Sequence, residues 1–140
     1  CLGNICRSPM AEIVMRWKVK ARGVENEWEI DSAGTAAYHV GDSPDSRSVS
    51  TCKKMIGKEM APVTHRARQA KKSDFKKFDY VLCMDESNLE DLKAIQPSDG
   101  KAKLALLGSY DPEGVKIVDD PYYGGINGFE FNFKQICRCC

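Results

Sequence analysis

The stretch Cys1-Leu2-Gly3-Asn4-Ile5-Cys6-Arg7-Ser8-Pro9 decides how the rest of this 140-residue chain is read. A cysteine and an arginine bracket five residues, and Ser-Pro follows at once. A loop of that length curls until its backbone N–H groups face one centre, where the oxygens of an anion can be held. Gly3 permits positive φ, and Asn4 is among the few other residues that tolerate it. Ser8 reads as the N-cap of a helix and Pro9 as its first residue. The positive end of the helix dipole then faces the anion. The same field favours a thiolate, which makes Cys1 the candidate nucleophile. Arg7 offers a planar fork matched to two phosphate oxygens.

Working outward, hydrophobic residues make up 42% and charged residues 29%, as in ordinary globular domains, and 140 residues suffice for one domain with a real core. A formal net charge of +1 gives no global drive toward nucleic acid or an acidic membrane. No apolar run reaches membrane-spanning length, and the opening residues do not read as a secretory signal. Seven cysteines at irregular spacing, an odd number, read as reduced thiols of a cytoplasmic protein rather than a disulfide framework. The terminal Cys137-Arg138-Cys139-Cys140 has no histidine or second knuckle beside it, so no metal is expected.

A first helix is expected from Pro9 to about Arg22, with Met10, Ile13, Val14, Trp17 and Ala21 on one face and Gly23 as its stop. Trp28-Glu29-Ile30 reads as a short strand that turns out through Asp31-Ser32-Ala33-Gly34-Thr35. A second helix, capped by Asp45, runs from Ser46 to Ile56. His65 lies in a polar, basic stretch that composition alone assigns to a solvated loop. The uninterrupted apolar run Val81-Leu82-Cys83-Met84 reads as a strand buried on both faces. Asp85-Glu86-Ser87 caps another helix, and Leu104–Leu107 reads as a further strand. Asp119 to Gly125 is a loop, and a last helix carries Phe129, Phe133, Ile136, Cys137 and Cys140 on one face. Strands alternating with helices imply an open α/β sheet, whose ligands bind at the carboxyl ends of the strands. The loops bearing Cys1, Ser32, Asp85 and Asp120 are then expected on one rim.

These motifs, CLGNICRSP, DSAGT, YVLCMDESNL, LLGSYDP and DPYYG, resemble the low-molecular-weight protein tyrosine phosphatases, the cytosolic acid phosphatases, through nearly the whole chain. The resemblance implies a four-stranded parallel sheet with helices on both faces and the phosphate loop at the C-terminal end of a strand. It makes Cys1 the nucleophile, Arg7 the phosphate-binding residue and Asp120 the general acid. The backbone N–H groups of Leu2, Gly3, Asn4, Ile5, Cys6 and Arg7 become the phosphate cradle. Asn4, Ser8, Ser32 and His65 match the residues that brace the loop, so His65 is expected to buttress Asn4 rather than face solvent. Tyr38 and Tyr122 match the aromatic walls of the cleft. Cys6 matches a thiol that pairs reversibly with an oxidised nucleophile, and Tyr122 and Tyr123 match sites of regulatory phosphorylation.

The implied substrates are phosphotyrosine-containing proteins and small aryl phosphates, with inorganic phosphate as product. A cysteinyl-phosphate forms, no cofactor or metal is needed, and a monomer is expected. Asp119 is the rival acid, but a proline fixes the backbone of the residue before it, which favours Asp120. Two other functions fit the same loop: a phosphotyrosine-binding module without turnover, and an arsenate reductase, for which Cys83 lacks a second relay cysteine before Cys137. In the family an apolar strand precedes the nucleophile and the last helix continues past the cysteine pair. The sequence is therefore expected to be a piece of a longer protein, one domain without its first strand and the end of its last helix.

Overall fold

The computed structural model describes residues 1–122 and 125–140. Arg7–Ala21 forms α1, packed through Met10, Ile13 and Val14. Its N-cap is Cys6, which makes no side-chain cap bond. The helix therefore starts earlier than the Ser-Pro pair predicts, because the Ser8 hydroxyl is used inside the loop. The expected face also narrows toward its end: Trp17 is half-buried and Ala21 exposed. Ser46–Ile56 forms α2, with the Asp45 side chain accepting from the Arg47 amide as the sequence predicts, and Gly57 at φ 73° ends it. A short α3, Asp74–Lys77, leads into β1, Tyr80–Cys83. Glu86–Ile95 forms α4, capped by Asp85, whose carboxylate accepts from the Asn88 amide at 2.8 Å. Strand β2, Lys103–Leu106, and helix α5, Ile126–Cys139, complete the elements. Among the described residues no helix is long and apolar enough to cross a membrane.

Strands β1 and β2 pair in parallel, with Tyr80 opposite Lys103 and Cys83 opposite Leu106. A further parallel bridge joins Gly34 to Gln69. The class is α/β with a parallel sheet, as expected, and among the described residues its ladder holds two strands. Trp28-Glu29-Ile30 departs from expectation: it joins no ladder. A cavity of about 670 Å³ is lined by Trp28 to Thr35 as well as Tyr80 to Met84. Strand β1 departs from it too. Tyr80 and Leu82 are exposed while Cys83 is buried, because side chains alternate along a strand and only one face is covered.

The core falls into two clusters. One gathers Cys6, Met10, Val14, Cys52, Met84, Val118, Phe129 and Ile136 where α1, α2 and α5 meet. The other packs Phe75, Cys83, Leu92 and Ala102 around the sheet.

Candidate active site

The loop from Cys1 to Cys6 is shaped by its carbonyls, which are turned outward onto donors from other segments. The Cys1 and Leu2 oxygens accept from the amides of Thr35 and Ala36 at 2.9 and 3.0 Å. The Asn4 oxygen faces His65 Nε2 at 3.2 Å. The Ile5 oxygen accepts from the Asp45 amide at 2.7 Å and the Cys6 oxygen from Ser48 Oγ at 2.8 Å. With its acceptors spent outside, the loop keeps its N–H groups for the inner side. Gly34 makes this closeness possible, since a Cβ there would stand 2.6 Å from the Leu2 oxygen.

Asn4 is the pivot. It is the one non-glycine residue at positive φ among those described, at 59°, and it is fully buried. Its Nδ2 donates to Ser8 Oγ at 2.9 Å and Ser32 Oγ at 3.0 Å, and its Oδ1 accepts from the Arg68 amide at 3.0 Å. These bonds hold a backbone conformation that side-chain-bearing residues otherwise avoid. Glu12, on α1, stands behind them: its Oε1 accepts from Ser32 Oγ at 3.1 Å and lies 3.5 Å from His65 Nδ1. Burial works against the charge on both groups. The mutual contact wins, raising His65 above its ordinary 6.5 and lowering Glu12 below its ordinary 4.5. Glu12, Asp31 and His65 bring one ligand atom each within 4.8 Å of the others. Arg16 and Arg68 already neutralise the two carboxylates, so this is a brace for the loop rather than a cation site.

Cys1 Sγ lies 3.0 Å from Ser8 Oγ, a hydroxyl placed to donate to a thiolate. The other loop cysteine is different in kind. Burial, with Asp45 and Asp120 nearby, pushes the Cys6 thiol up to about 12.

Arg7 is buried at the mouth of α1. Its Nη1 donates to Asp85 Oδ2 at 2.5 Å and to the Val118 oxygen at 2.8 Å, and its Nη2 lies 3.6 Å from Asp120 Oδ2. Its Nε is buried and has no partner, a donor left for an anion. Burial opposes charge on Asp85, yet the bonds from Arg7 and the Asn88 amide hold its carboxyl below the usual range. The carboxylate of Asp120 is half exposed beside Arg7 and accepts from the Tyr122 amide at 3.0 Å. Asp119, the rival acid, is fixed through its main chain, with Asn132 Nδ2 on its carbonyl at 3.1 Å.

Cys1, Arg7, Ser32, Asp85 and Asp120 thus meet on one rim, and Ser8, Ser32 and His65 converge on Asn4 as expected. The sequence resemblance gives this chain a family and the geometry gives it the matching loop; comparison with known proteins settles the assignment. The family described as low molecular weight phosphotyrosine protein phosphatase matches residues 1–140. The chain belongs to that family. The low molecular weight phosphotyrosine protein phosphatase of Gallus gallus is 54% identical over 142 residues, covering 100% of this chain and 87% of that protein. Its Homo sapiens counterpart is 51% identical over the same coverage. The crystal structure of a protein tyrosine phosphatase from Entamoeba histolytica with Hepes in its active site superposes with a TM-score of 0.91 at 37% identity, over 100% of this chain and 88% of that one.

Of the two tyrosines that the resemblance assigns to the cleft, Tyr38 is 78% exposed and Tyr122 37%. Tyr123 lies outside the described residues. Sequence reasoning put the Asp85 loop on the rim but not its bond to Arg7, and it did not single out Glu12. A carboxylate directly after the apolar run Val81–Met84, at the end of a strand where ligands gather, was the available signal for that bond.

Proposed function

We propose that this chain is a protein tyrosine phosphatase that hydrolyses aryl phosphate monoesters through a cysteinyl-phosphate. The observation that carries it is a thiol, a buried guanidinium with an unpartnered Nε and an exposed carboxylate converging on a loop whose Cys1, Leu2, Asn4, Ile5 and Cys6 carbonyls meet donors outside it.

The Cys1 thiolate attacks phosphorus, forming the S–P bond as the ester P–O bond breaks. The N–H groups of Leu2 to Arg7 and the Arg7 guanidinium follow the charge on the equatorial oxygens. Asp120, protonated, gives its proton to the leaving phenolate oxygen. In the second half the Asp120 carboxylate takes a proton from water as that water attacks phosphorus. The S–P bond breaks, and inorganic phosphate and the thiolate are regenerated. Tyr38 and Tyr122 flank the mouth and favour a flat aryl ester. Neither binding without turnover nor arsenate reduction is favoured: Cys83, the thiol a relay needs, is buried and donates to the Ala105 oxygen at 3.4 Å.

We place this activity in the cytoplasm, in a monomer working without metal or cofactor, with Cys6 as the thiol that condenses with an oxidised Cys1. Recovery of activity from peroxide is then lost in Cys6→Ser. Steady-state kinetics on a phosphotyrosyl peptide test the acid. Asp120→Ala lowers kcat about 10²- to 10⁴-fold and Asp119→Ala far less; the reverse order would move the acid to Asp119.

A further inference from the structure

The loop that carries Asp120 needs its own restraint, because Asp120 is half exposed and Pro121 donates no backbone hydrogen bond. Upstream, the Val118 amide donates to the Met84 oxygen at 2.8 Å, Arg7 holds the Val118 oxygen, and Asn132 holds the Asp119 oxygen. Downstream, the residue whose backbone matters is Tyr122. Its N–H donates to Asp120 Oδ1, and its carbonyl accepts from Arg47 Nη2 at 2.9 Å. The Arg47 guanidinium also lies 5.5 Å from the centre of the Tyr122 ring and 4.7 Å from that of Phe129 on α5, within the range of cation–π attraction. Its own aim is set by Asp45, which accepts from Arg47 Nε and Nη2, each at 3.1 Å. Asp45 in turn reaches the phosphate loop through the Ile5 oxygen.

We propose that Arg47 is a positioning residue for proton donation: by fixing the Tyr122 backbone against α2 and α5, it holds the Asp120 carboxyl where the leaving oxygen departs. The inference rests on Asp120 being the general acid. The side-chain contacts described for Arg47 are to Asp45, Tyr122 and Phe129, none of them the Cys1 thiol. The effect of Arg47 is therefore confined to esters whose leaving group must be protonated. A phenolate like that of tyrosine, with a conjugate-acid pKa of about 10, needs the proton, whereas a dinitrophenolate leaves without one.

The test compares kcat/KM for phenyl phosphate and 2,4-dinitrophenyl phosphate in wild type, Arg47→Ala and Asp120→Asn, with competitive inhibition by inorganic phosphate as the readout of the phosphate loop. The ratio of the two kcat/KM values, phenyl over dinitrophenyl, is expected to fall about tenfold in Arg47→Ala and further in Asp120→Asn, with phosphate inhibition the same as wild type. Equal losses on both esters in Arg47→Ala, or weaker phosphate inhibition in step with the rate, overturn the proposal, since Arg47 then acts through Asp45 on the loop or on folding. An unchanged ratio in Arg47→Ala beside a fallen ratio in Asp120→Asn overturns it while leaving the acid in place. An unchanged ratio in Asp120→Asn overturns the assignment of the acid, and the proposal with it. Arg47→Gln, which keeps a planar donor, takes the same test if the alanine variant does not fold.

Discussion

The phosphate loop and the strand edge differ in how they are held. The loop hangs from α2, its cap Asp45 and the segments around Thr35, His65 and Arg68 by main-chain and buried side-chain bonds, each tying it to a residue far away in sequence. Behind it lies the larger apolar cluster. Strand β1 has β2 on one side, the cavity on the other, and Tyr80 and Leu82 exposed. The comparison teaches that the site's geometry depends on polar ties between helices and loops more than on the sheet that bears it. The two regions should accordingly respond differently to damage.

The largest expected effect separates stability from geometry. Met10→Ala, in the cluster beneath the loop, and Leu92→Ala, in the cluster of the sheet, each remove a buried side chain and cost about 2–5 kcal/mol by chemical denaturation. The folded Met10→Ala protein should also lose turnover, whereas folded Leu92→Ala keeps kcat/KM within about threefold of wild type. Equal kinetic damage from the two would break the comparison.

Next comes Asn4→Ala. It removes the bonds to Ser8, Ser32 and the Arg68 amide and puts alanine at φ 59°, so kcat/KM should drop about 10²-fold through misplacement of the loop. Asn4→Gly relieves the backbone without restoring the bonds. If glycine recovers full activity, the conformation alone matters and the polar ties do not.

The smallest effect is a pH signature. The raised His65 contributes stability that is complete below its ordinary 6.5 and fades as pH rises through its higher folded value. The lowered Glu12 contributes stability that is complete above its ordinary 4.5 and fades as pH falls through its lower folded value. The stability gap between wild type and Glu12→Gln should thus be widest between 4.5 and 6.5 and narrow on either side. A gap that does not vary with pH would show that this pair does not brace the loop.

How far the fold could be read in advance followed from the range of the forces involved. Helix α2 and the caps Asp45 and Asp85 were legible because a cap and an apolar stripe are local. The start of α1 was not, because Ser8 has two competing uses and only the folded loop shows that Cys1 and Asn4 claim its hydroxyl. Trp28-Glu29-Ile30 has the character of a strand, but a strand is defined by its partner, which residue pattern does not supply. Composition placed His65 in solvent; resemblance placed it behind Asn4, where it is found. Arg47 escaped both readings because one of its partners is a main-chain carbonyl 75 residues away.

The most direct measurement is acid quench of the enzyme during turnover of a phosphotyrosyl peptide, followed by mapping of the labelled fragment. Phosphate on Cys1, absent in Cys1→Ser and accumulating at the expense of free enzyme in rapid mixing, is the predicted result. Turnover with phosphate trapped on Cys6 or His65, or turnover that survives in Cys1→Ser, would contradict the account.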